Sequence, residues 1–117
     1  MRILTFATSA LLAFMLGTAA EAHAFLDHAE PRVGSTVTTA PRELSLSFTQ
    51  KLEPAFSSVE VTNANGARVD LGKPSVGSSV MRIGLKPLSP GTYRVRWHVL
   101  SVDTHTTEGS FTFQVGP

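Results

Sequence analysis

Between Thr92 and Val99 the chain alternates without a fault, with Tyr93, Val95, Trp97 and Val99 on one side and Arg94, Arg96 and His98 on the other. A period of two sends successive side chains to opposite faces of an extended strand, so this stretch reads as a half-buried β-strand. The period returns in Leu44, Leu46 and Phe48 against Glu43, Ser45, Ser47 and Thr49, and in Phe111, Phe113 and Val115 against Ser110, Thr112 and Gln114. Val59 and Val61 repeat it in brief, Asn65-Gly66 is a hairpin-type turn signal, and Val69 with Leu71 begins a return strand. Val80, Ile83 and Leu85 mark a further strand with imperfect alternation, and Pro87, Pro90 and Gly91 break the chain behind it. With no helical stripe after residue 22, the pattern predicts an all-β fold, an antiparallel β-sandwich of roughly six or seven strands.

The chain before residue 23 has a different character. Arg2 supplies a positive charge, Ile3 to Leu16 is an apolar run, and Ala20-Glu21-Ala22 places small residues where a signal peptidase reads them. Together these form a secretory signal peptide over residues 1–22; its apolar part is at the short limit for a membrane span, and the well-placed A-x-A argues against the alternative of an uncleaved membrane anchor. Cleavage after Ala22 would leave residues 23–117 as one mature domain, exported to the periplasm. His23 would be its first residue.

Composition narrows the chemistry. The 117 residues hold 10 Lys plus Arg against 9 Asp plus Glu, a net charge of +1, which gives no concentrated basic face for nucleic acid. Cysteine is absent. That removes disulfide scaffolds, zinc ribbons, iron–sulfur clusters, thiol nucleophiles and thiolate-ligated copper together. No Ser–His–Asp grouping with its own support is visible, so no catalytic residue is expected. Metal chemistry falls to the 4 histidines.

A histidine at a new amino terminus offers two nitrogens, the imidazole and an α-amine whose pKa near 8 lets a metal displace its proton at neutral pH. Between the last two strong strands lies Asp103-Thr104-His105. If that segment is extended, the carboxylate and imidazole project to the same side. Phe25-Leu26 followed by Pro31 to Ser35 reads as a short strand and turn that would pin the start of the mature chain beside one end of the sandwich. Should that end carry Asp103 and His105, three nitrogens and one oxygen converge, a set that suits tetragonal Cu(II) better than tetrahedral Zn(II).

These residues carry a resemblance. His23 to Pro31 with Gly34-Ser35, the Gly91 to Trp97 strand, and Ser101 to His105 leading to Gly109-Ser110-Phe111-Thr112-Phe113 resemble the CopC family of periplasmic copper-binding, copper resistance proteins, over essentially the whole mature chain. The resemblance implies a Greek-key sandwich of the Ig-like or cupredoxin-like kind with about seven strands, and one Cu(II) per chain bound by His23, Asp103 and His105. It also implies a carrier in copper resistance and homeostasis, with an inner-membrane copper transporter of the CopD type or a periplasmic multicopper oxidase as partner, and a monomeric state. Thr106 stands where many relatives have proline. Some relatives have a methionine-rich stretch for Cu(I), whereas after residue 22 this chain has Met81 alone, so no separate Cu(I) site is expected.

Other residues have quieter readings. His28 lies five positions after His23, so a bulge or turn would be needed to bring it to the metal; otherwise it is a surface histidine. His98 is expected on the solvent face of its strand. Glu108 reads as a loop carboxylate or an acceptor that orients a ligand imidazole. Tyr93, Trp97, Phe111 and Phe113 are expected in the core. Two competing functions remain in view: a histidine-brace copper oxidase or monooxygenase acting on polysaccharide, and an Ig-like sandwich used only for adhesion or structure, in which the A-x-A-His junction and Asp-x-His loop would be coincidences.

Overall fold

A computed structural model describes residues 25–117, which form eight strands and a single 3-10 turn. The strands are β1 (Leu26–Glu30), β2 (Thr36–Val37), β3 (Glu43–Phe48), β4 (Ser58–Thr62), β5 (Ser75–Gly77), β6 (Val80–Gly84), β7 (Gly91–Leu100) and β8 (Thr106–Val115), and the turn is Pro54–Phe56. They build two four-stranded sheets, one ordered β1-β3-β6-β5 and the other β2-β8-β7-β4. The chain changes sheet at every connection except the hairpins β5–β6 and β7–β8, which is the crossed connectivity of a Greek-key sandwich. Pairing is antiparallel except between β2 and β8, where Thr36 and Val37 run parallel to Gln114 and Val115. Two of the strands, β2 and β5, are only two and three residues long, which is why the sequence pattern registers fewer.

Alternation in the sequence becomes the inner face of each sheet. Leu44, Leu46 and Phe48 meet Val59, Val61, Tyr93, Val95, Trp97, Val99, Phe111, Phe113 and Val115 in one core, joined by Met81 and Ile83. Arg94, Arg96 and His98 lie outside, as expected. The expected return strand at Val69 and Leu71 does not form. Val69 N–H donates to Val61 (2.9 Å), but Asp70 then bridges to Leu85, the residue just after β6 of the opposite sheet, and Leu71 is exposed. Asp70 explains the departure, because its buried carboxylate accepts from Val61 N (2.7 Å), Gly72 N (2.9 Å) and both Nε and Nη2 of Arg68 (2.9 Å each). A buried charge must be paired, so this residue leads the chain across between the sheets instead of along β4.

Candidate metal centre

The long hairpin β7–β8 pairs ten residues on each side, from Gly91 opposite Val115 to Leu100 opposite Thr106. Ser101 to His105 form its tip. There Ser101 N–H donates to the His105 carbonyl and Thr104 N–H to the Ser101 carbonyl, both at 2.9 Å. Asp103 and His105 are therefore joined by a turn and not by an extended segment, with Thr104 in the left-handed region at φ 72°. The turn still brings the pair together. His105 Nδ1 lies 3.3 Å from Asp103 Oδ1, with the imidazole 76% and the carboxylate 45% exposed.

Two residues that sequence reasoning passed over hold this carboxylate. Ser101 is buried, and its hydroxyl donates to Asp103 Oδ1. That hydrogen bond is the largest influence on the Asp103 carboxyl, which it and the neighbouring His105 hold below the ordinary aspartate value against the opposing effect of desolvation. Gln50 reaches across from the loop after β3. With its NH2 turned toward the only acceptors it faces, it donates to Asp103 Oδ2 at 2.6 Å and Oδ1 at 3.2 Å. Ser101 belongs to the quoted Ser101 to His105 motif, so its signal was available; an isolated glutamine fifty-three positions before its partner carries none.

The loop after β3 also touches the start of the described chain. Thr49 N–H donates to the Phe25 carbonyl at 3.0 Å, and the Phe25 ring packs edge-on against Phe48 with centroids 5.8 Å apart. Phe48 in turn meets Trp97 at 5.2 Å. On the other side of Gln50, Lys51 accepts from Val102 N–H (3.0 Å), Leu52 bridges Ser101, and Glu53 N–H donates to Leu100 (2.8 Å). One short segment thus links Phe25 to the hairpin tip at a single end of the sandwich.

His23 lies outside the described residues, as does the signal-peptide segment 1–22. Among the described residues no third His, Asp or Glu joins Asp103 and His105. A β-bulge does occur between Leu26 and His28, yet His28 stays exposed, with Nδ1 3.0 Å from Asp27 Oδ2. His98 is exposed between Ser58 and Glu108, its partners across the two neighbouring strands, so Glu108 faces His98 and not the Asp103–His105 turn. Met81 is a core residue at 1% exposure, out of reach of any cation.

The CopC domain profile matches residues 26–116. A copper resistance protein C of Xanthomonas campestris pv. juglandis is 38% identical over 112 residues, covering 88% of this chain and 87% of the relative. The crystal structure of CopC from Methylosinus trichosporium OB3b superposes with a TM-score of 0.75 at 31% identity, over 81% of this chain and 95% of that one. PcoC, a methionine-rich copper resistance protein from Escherichia coli, gives 0.69 at 34% identity, over 80% of this chain and 99% of its own. With a crossed β-sandwich and an Asp-x-His turn at the tip of its longest hairpin, matched along nearly its whole described length, this chain belongs to the CopC family.

Proposed function

We propose that this chain is a periplasmic Cu(II) carrier acting in copper resistance and homeostasis, not an enzyme, and that it binds one Cu(II) through the amine and imidazole of His23, the Asp103 carboxylate and the His105 imidazole. Export and cleavage after Ala22 free that amine. The supporting observation is the meeting of Phe25 and the Asp103–His105 turn at one end of the sandwich through Thr49 and Gln50. His23 is two residues from Phe25, a covalent reach of at most about 7 Å. Three nitrogens and a carboxylate oxygen match the tetragonal preference of Cu(II), which also heads the divalent affinity order. A carboxylate in the fourth place leaves little room for oxygen or substrate, which favours holding over turnover. Met81, deep in the core, leaves no thioether for Cu(I). The protein works as a monomer and passes its copper to an inner-membrane transporter of the CopD type or to a periplasmic multicopper oxidase.

Cu(II) titration of two purified forms tests the reading, one beginning at His23 and one with an extra residue before it. Tight one-to-one binding with a nitrogen-rich tetragonal spectrum is expected for the first form only. Equal affinity in both would remove the amine from the donor set. Adding reductant and oxygen to the loaded protein separates carrier from oxidase, since sustained peroxide release or polysaccharide cleavage would favour the latter.

A further inference from the structure

Gln50 is exposed and uncharged, the kind of side chain that ordinarily faces water without consequence, yet the backbone on both sides of it is fixed. Thr49 is tied to Phe25, Lys51 to Val102, and Leu52 to Ser101 and to Ser78, whose carbonyl accepts from Leu52 N–H at 3.0 Å. From this braced segment the Gln50 amide spans both oxygens of Asp103, at 2.6 Å to Oδ2 and 3.2 Å to Oδ1. A carboxylate has about four lone-pair sites. On Oδ1, Ser101 and Gln50 donate and the His105 imidazole stands 3.3 Å away, whereas among the described residues Oδ2 receives Gln50 alone. One site on Oδ2 remains open.

We infer that Gln50 is a positioning residue of the metal centre: it holds the Asp103 carboxylate in one orientation, with Oδ1 occupied and Oδ2 left to bind the cation through a single oxygen. The inference rests on the proposed Cu(II) site and adds to it how the oxygen donor is set. An aspartate this exposed would otherwise sample several rotamers, and fixing it before the metal arrives removes that ordering cost from binding. The amide also suits the task because it only donates toward Asp103 and adds no charge. A carboxylate at position 50 would repel Asp103 in the free protein and compete with it as an oxygen donor in the loaded one.

The test combines Q50A, Q50E, D103A and the Q50A/D103A double variant with Cu(II) titration, electron paramagnetic resonance of the loaded proteins and nitrogen-15 NMR of the free ones. Loss of an outer partner typically weakens metal binding by about 10- to 100-fold, and Q50A should do so with an altered copper spectrum and an unchanged thermal midpoint. In the D103A background the same change should cost less than about twofold, because the partner it acts through is gone. Q50E should shift the spectrum toward a different oxygen-donor set. A loss from Q50A that persists undiminished in D103A, or a Q50A protein with wild-type affinity and spectrum, overturns the inference. NMR separates this failure from that of the site as a whole. In the free protein D103A should move the Gln50 side-chain amide resonances whether or not copper binds, and unmoved resonances would also overturn it.

Discussion

Trp97 lies across the strand from Gly109 and uses the space that a side chain there would fill: a methyl group at Gly109 would sit 2.6 Å from Trp97 Cζ2 and 2.9 Å from Cε2. The glycine is required by close approach, and its φ is not in the left-handed region. Gly109→Ala should displace the indole and cost about 1–3 kcal/mol of stability. Because Trp97 carries Phe48, and Phe48 carries Phe25, the fluorescence of the sole tryptophan should change with it. Denaturant unfolding followed by tryptophan emission checks both outcomes.

His105→Ala removes a nitrogen donor and Asp103→Ala an oxygen donor, so both should weaken Cu(II) binding, the histidine change more severely. Isothermal titration at neutral pH gives the ranking. Both residues are on an exposed turn, so the thermal midpoints of the metal-free variants should stay close to wild type.

Phe25 anchors the beginning of the described chain by ring packing and by its carbonyl. Phe25→Ala keeps the backbone hydrogen bond and loses the aromatic pair, worth about 0.5–1.5 kcal/mol. On the proposed donor set this should appear as roughly a 2- to 10-fold loss in Cu(II) affinity, because the amine is then less well held. An affinity equal to wild type would separate the chain start from the site.

Asp70 should dominate the acid response of the fold. Burial pushes its carboxyl up, but Arg68 and the Val61 and Gly72 amides outweigh this and hold it below the ordinary value. A carboxyl lower in the native than in the unfolded state stabilises fully above about pH 4 and progressively less as the pH falls through its native value. Asp70→Asn should therefore cost about 2–4 kcal/mol near neutrality, from lost charge pairing and poorly satisfied amides. The gap to wild type should narrow below about pH 4, measured by urea unfolding across pH.

The parts of the fold that repeat with period two were legible in the residues. Leu44 to Phe48, Tyr93 to Val99 and Phe111 to Val115 all face inward as their alternation requires. Legibility failed where a single polar residue overrides local pattern. Nothing around Asp70 announces that its carboxylate will be buried, and with it the chain leaves β4 for the opposite sheet. At the site, Asp103 and His105 were named correctly as neighbours but for a different geometric reason, since Thr104 turns the chain between them. Gln50 could not be found, because its contact with Asp103 exists only once β3 and the β7–β8 hairpin are assembled. His23 stays an expectation from the sequence.

The position of the hairpin tip at the same end of the sandwich as Phe25 has a mechanical meaning. This protein has no cysteine with which to staple distant segments. On the proposed donor set, one cation would tie residue 23 to residue 105 and close nearly the whole mature chain into a loop, as a disulfide would. Unlike a disulfide, the fastening depends on supply: free Cu(II) at a hundredfold excess over the dissociation constant adds about 2.7 kcal/mol to stability, and the gain disappears when the ion is handed on. Cargo and clasp would be the same atom, so a delivered load leaves behind a looser protein, more easily told apart from a full one by whatever receives the metal.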